Sequence, residues 1–253
     1  MNRGKIFFVM LLSNVHTLYS QGCISYSRKV NDVSNPKPLL TTSGNRTINN
    51  VCYTELTNIN WMLRIKPRLY FANDGDNGPH YNPDNGNIVL DTNFLNDIIR
   101  VYGLAPEKAG FIYGSVIPFL IAHEAAHAKT HSMGWNFNRD RAVKANELFA
   151  DFCAGMYACL QRMLVNVQSD TRYYGANDIS SIIDLFQSLG DDSFTDPQHH
   201  ATANERKTAV TAGYNYLSDY IFRYQCYYRT NAIPPVDNAD VYSNANKMLD
   251  GLF

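Results

Sequence analysis

The sequence predicts a single, mostly helical α+β domain with one small sheet, and three observations carry the prediction. From residue 92 onward the apolar residues recur at helical spacing. Before it, residues 68–72 and 87–91 alternate or run apolar on either side of a turn-rich loop, as the two strands of a β-hairpin would. No break in composition near the middle divides the 253 residues into two units, and a content of 45% hydrophobic and 18% charged residues is ordinary for a chain that buries a core. The formal net charge is -1 and no long basic run is present, which argues against a nucleic-acid partner and against electrostatic anchoring to a membrane.

Taken in order, the chain opens with Arg3 and Lys5, then an apolar run over residues 6–12, then the small residues Ser20 and Gly22. This order reads as a signal peptide over residues 1–22, with a buried N-terminal strand or helix as the alternative. No later stretch is long and apolar enough for a membrane span, so the expected product is exported, periplasmic or extracellular. Cys23 follows directly, where bacterial lipoproteins are acylated. Ser20 stands in place of the usual aliphatic residue three positions earlier, so a lipid anchor is the second reading. Residues 24–50 are rich in Ser, Thr, Asn and Pro and read as an extended arm with little packing; the arm is drawn over 23–60 and the main domain over 61–253.

The loop between the expected strands contains Asp74-Gly75-Asp76-Asn77-Gly78. A calcium loop would need a carboxylate at its twelfth position, which is Asn85, so turn chemistry is preferred. Helices are expected over residues 93–102, 111–131, 142–165 and 179–189. Thr202-Ala203-Asn204-Glu205 has the pattern of a capping box opening a last long helix toward Tyr224, before Pro234-Pro235 breaks the chain. Of five cysteines, Cys153 and Cys159 lie on one expected helix about 9 Å apart in rise and on different faces, too far for one bridge. They are core thiols or partners of distant cysteines.

His123-Glu124-Ala125-Ala126-His127 carries the chemistry. Two histidines four apart on a helix share a face and can aim two imidazole nitrogens at one ion, while Glu124 beside them can serve as general base to a metal-activated water. A catalytic zinc needs a third protein ligand and an open position. Glu147 is the candidate, on a second helix that packs back against the first. Asp151 shares its face and can accept the far ring N–H of a ligating histidine. Small residues, Ala154, Gly155 and Ala158 against Ala122, Ala125 and Ala126, permit close approach of the two helices. The bland alternative for Glu147 and Asp151 is a solvated acidic pair. His131, four residues after His127, lies too far along a straight helix to join the other two on one ion and is read as a rim residue. Downstream, Asp196-Pro197-Gln198-His199-His200 precedes Arg206. His200 and Arg206 are candidates for stabilising an oxyanion, with solvent-exposed loop histidines as the alternative; Glu205 is assigned to the capping box.

With His123-Glu124-x-x-His127, Glu147-x-x-x-Asp151 and His200 with Arg206 in place, the chain resembles the gluzincin zinc metallopeptidases. The nearest groups are the bacterial putative neutral zinc metallopeptidases and the soluble relatives of the CaaX-prenyl-protease-like family. The resemblance covers about residues 69–224. It implies a compact single-domain gluzincin fold, one Zn2+ on His123, His127 and Glu147, and hydrolysis of a peptide or protein substrate. Glu124 would be the base, Asp151 the support behind the ligands, and His200 with Arg206 the downstream pair. Ala201 departs from the Pro or Gly frequent in that family, and His199 is an alternative to His200. Two rivals share the zinc chemistry: an exported, non-catalytic zinc-binding protein, and a zinc hydrolase acting on a non-peptide amide such as a cell-wall component.

Overall fold

Residues 46–63 form a helix, α1 (Arg46–Leu63), where composition predicts an unpacked arm. The computed structural model describes residues 38–73, 78–101, 117–134, 142–168, 182–183, 186, 201–223 and 237–252. In α1, Ile48, Cys52, Leu56, Ile59 and Leu63 recur at three- and four-residue spacing and are buried in the main core. Its polar Asn and Thr residues mostly face outward. Asn45 caps the start, its side chain accepting the amides of Thr47 and Ile48 at 2.9 and 3.3 Å. Arg64, in the left-handed region at φ 53, ends the helix. The arm therefore stops before residue 46, and α1 belongs to the folded core.

Three strands follow: β1 (Arg68–Ala72), β2 (His80–Asn82) and β3 (Asn87–Asp91), in the order β1-β3-β2. Strands β1 and β3 pair in parallel, with Leu69 opposite Ile88 and Phe71 opposite Leu90, so they are not the two arms of a hairpin. The physical reason is the length of the connection. Hairpin loops usually run to about 2–5 residues. Residues 73–86 are enough chain to lay down β2 antiparallel to β3 first, with Gly86 at φ 71 in the turn between them. β3 thus becomes the central strand and is buried throughout. Leu40 adds a bridge to the outer edge of β1, exchanging two backbone hydrogen bonds of 2.8 Å with Phe71.

The remaining elements are helices: α2 (Thr92–Val101), α3 (Ile117–Met133), α4 (Ala142–Gln168), α5 (Ala203–Arg223) and α6 (Asn238–Asp250). Asp91, at the end of β3, caps α2 by accepting the Phe94 amide at 2.8 Å. Helix α3 is the core helix, buried on nearly every side from Ile117 to Thr130, and it packs against α1, α4 and the sheet. Of the helix expected over 179–189, only Ile182, Ile183 and Phe186 are described, and all three are helical. Among the described residues no helix is long and apolar enough to cross a membrane. Cys52, Cys153 and Cys159 are buried in the core; burial pushes the Cys52 thiol up to about 12 and raises Cys153 as well. The expected signal segment, Cys23, the loop residues Asp74-Gly75-Asp76-Asn77 and Cys226 lie outside the described residues.

Two contacts fix α4 in place. Tyr157 and Gln161 on α4 both donate to the buried carboxylate of Glu55 on α1, the Gln161 amide at 2.5 Å. On another side α4 meets α5 through glycines. A Cβ on Gly155 would lie 2.0 Å from the Val210 carbonyl oxygen, and one on Gly213 only 1.8 Å from that of Phe152. The absence of a Cβ at Gly155 therefore serves the approach of α5, not the approach of α3 that the stripe of small residues suggests. Because Gly213 meets rigid backbone, Gly213→Ala is expected to cost about 3 kcal/mol or more. Thermal denaturation should show a Tm lower by roughly 6 °C or more in a chain of this size. An unchanged Tm would mean that the helices separate freely.

The chain enters α5 through Ala201, buried at φ 101, a backbone region that favours glycine. The capping box follows as its sequence predicts. Glu205 Oε2 accepts from the amide and hydroxyl of Thr202 at 2.8 and 2.9 Å, and the Thr202 hydroxyl accepts the Glu205 amide at 3.2 Å. Burial opposes ionisation of Glu205, but hydrogen bonds from Lys144 and Thr202, with the Lys144 charge, outweigh it and hold the carboxyl below the usual range. A carboxyl depressed in the folded state adds stability above its unfolded pKa and loses it as pH falls through the folded value. Glu205→Gln should accordingly flatten the acid limb of a Tm against pH curve below about pH 4.5. An acid limb as steep as that of the unsubstituted chain would exclude this contribution.

Candidate metal centre

Helices α3 and α4 bring the expected ligands together. His123 and His127 lie one turn apart on α3, and Glu147 on α4 faces both. The Nε2 atoms of the two histidines are 3.2 Å apart, His123 Nε2 is 3.3 Å from Glu147 Oε2, and His127 Nε2 is 3.4 Å from Glu147 Oε1. Bonds of about 2.0–2.1 Å at a tetrahedral angle put donor atoms about 3.3 Å apart. The three side chains are thus spaced as adjacent corners of a four-coordinate ion. They are the group among the described residues that could hold a metal ion.

The hydrogen-bonding pattern suits a cation at that point. Asp151, one turn beyond Glu147, accepts His123 Nδ1–H at 2.9 Å, inside a site with no solvent exposure at either residue. A neutral His123 that donates there keeps a lone pair on Nε2. That lone pair faces a carboxylate oxygen and another imidazole nitrogen, an arrangement of acceptors that only a proton or a metal cation reconciles. Around the two histidines, the carboxylates of Glu124, Glu147 and Asp151 and the guanidinium of Arg206 are all buried.

Glu124 is buried beside this group, and its Oε1 has no hydrogen-bond partner among the described residues. Burial raises its carboxyl above the ordinary range; His123 and His127 pull it back, Glu147 raises it further, and His80 lowers it. His80 had no place in the sequence reading. It is half-buried on β2 and donates Nδ1–H to the Gly78 carbonyl at 3.2 Å. Phe186 also carried no sequence signal. Its buried ring lies 5.8 Å from the His123 ring, and the Arg206 guanidinium carbon is 5.8 Å from the same ring, so Phe186 walls off the inner side of the centre. Only the helical spacing around Phe186 was legible, not its target.

Arg206 corrects the expectation of an oxyanion donor. It is almost fully buried and grips Asp151 with a two-point fork, Nε to Oδ2 and Nη2 to Oδ1, both at 2.8 Å. Its Nη1 lies 3.8 Å from Glu147 Oε2. An arginine committed to two carboxylates behind the ligands orients them and does not present its donors to a reacting carbonyl. His131 is exposed at the rim, as its spacing predicts, with Nδ1 3.0 Å from the Tyr81 hydroxyl on β2. His199 and His200 lie outside the described residues. No protein-family model matches the chain, and no curated protein or solved structure matches it significantly.

Proposed function

We propose that the chain is a zinc-dependent endopeptidase of the gluzincin kind, with one zinc ion on His123, His127 and Glu147 and with Glu124 as general base. The observation that carries the proposal is the set of three donor separations, 3.2, 3.3 and 3.4 Å, next to a buried carboxylate with an unpartnered oxygen. A zinc ion in such a site acts as a Lewis acid and brings the pKa of its water toward neutrality. Glu124 takes the proton of the attacking water on its free oxygen and returns it to the leaving amine nitrogen. Asp151 keeps the His123 proton on Nδ1, so that Nε2 presents its lone pair, and Arg206 neutralises Asp151 while holding its carboxylate in place. The two histidines differ in exposure, His123 at 0% and His127 at 19% of the side chain, so the substrate approaches on the His127 side. The peptide bond as substrate comes from the resemblance of the motifs.

Metal removal tests the reading. Dialysis against a chelator should abolish cleavage of a peptide library, and one equivalent of zinc should restore it. Cleavage that survives chelation would contradict it.

A further inference from the structure

We propose that Lys144 and Glu205 form a clamp that positions Glu147 for the metal, a proposal that rests on the zinc reading above. Residues 144, 147 and 151 recur at three and four positions on α4 and share one face. The first turn of α5 grips that face on both sides of Glu147. One turn before it, Lys144 Nζ donates to Glu205 Oε1 at 2.5 Å. One turn after it, Arg206 holds Asp151. Glu147 is the residue between the two ties.

Three features separate this pair from an ordinary surface ion pair, which contributes little. Both side chains are mostly covered, at 19% and 18% exposed. Glu205 does not swing freely, because its second oxygen is held by the amide and hydroxyl of Thr202. Lys144 also lies in the first turn of α4, where the helix dipole disfavours positive charge. Local helix energetics does not account for a lysine at that place, whereas the tie to Glu205 does. Helix α4 starts at Ala142 and Glu147 lies in its second turn, close to an end that frays unless something outside the helix holds it. The clamp supplies that hold from α5, the same helix that supplies Arg206.

The test is zinc affinity measured by competition with a chromophoric chelator, on the full chain, beside the Tm of the metal-free protein. Lys144→Met keeps the aliphatic stem and removes the charge, and Lys144→Arg keeps the charge. Lys144→Met should weaken zinc binding about tenfold or more, within the range seen when groups supporting metal ligands are removed. The metal-free Tm should stay within a few degrees of the unsubstituted protein, and Lys144→Arg should recover most of the affinity. If Lys144→Met does not fold, Glu205→Gln serves instead: its amide oxygen still caps Thr202, and the same loss of affinity is expected. Unsubstituted protein that binds one zinc, with either variant binding equally tightly, overturns the clamp alone. A loss of affinity that Lys144→Arg does not recover also overturns it. Unsubstituted protein that binds no stoichiometric zinc overturns the clamp together with the zinc reading.

Discussion

Replacing Glu124 with glutamine is expected to leave the metal bound and to reduce turnover by about 10³-fold or more, at the upper end of what a positioned base contributes. Glutamine has nearly the same shape, and Glu124 is not one of the three converging donors, so the ligands have no reason to move. What disappears is a proton-accepting oxygen buried in the centre and without a hydrogen-bond partner among the described residues. Peptide cleavage by the zinc-loaded variant is the measurement. A rate equal to that of the unsubstituted protein would remove Glu124 from the mechanism.

The second large effect is expected at Asp151. Its two oxygens accept three hydrogen bonds, one from His123 and two from Arg206, with no solvent exposure. Asparagine offers one oxygen and an amide that can only donate, so it must either confront the guanidinium or turn its NH2 toward His123. In the second case the imidazole proton is driven onto Nε2, the atom that faces Glu147 and His127. In either case the buried charge of Arg206 loses part of its compensation. Breaking such a pair costs about 3–5 kcal/mol. For a chain of this length that is a Tm lower by roughly 6–20 °C, together with a loss of metal affinity of about 10–100-fold. Thermal denaturation and zinc titration of Asp151→Asn check both, and an unchanged Tm would show that the Asp151–Arg206 fork is not structural.

The parts of this architecture that were legible in the sequence are those set by local spacing. Histidines four apart on a helix must share a face, and a Thr three residues before a Glu at a helix start makes a capping box; both hold here. Asp151 belongs with them, since one turn beyond a ligand is where a carboxylate can reach the back of an imidazole. Other features depend on what lies across the fold. The apolar spacing of α1 was in the chain all along, but its Asn and Thr content reads as loop until a core is available to bury that face. Strands β1 and β3 were located, but neither β2 nor the pairing was, because both depend on the path of residues 73–86. Arg206 has the same ambiguity in chemical form. A guanidinium downstream of a metal motif can face a substrate or a carboxylate, and only the packing of α5 on α4 directs it to Asp151. Gly213 and Phe186 owe their importance to a partner backbone and a partner ring that no spacing rule predicts.

The central claim is that two imidazoles and a carboxylate on α3 and α4 bind one zinc ion with a coordination position left open. Zinc-edge X-ray absorption of the protein loaded with one equivalent of zinc tests this most directly. The expected spectrum shows four nitrogen or oxygen neighbours at about 2.0–2.1 Å, with the outer-shell scattering of two imidazoles. Sulfur neighbours near 2.3 Å would assign the metal to cysteine and contradict the claim, as would a protein that retains no zinc.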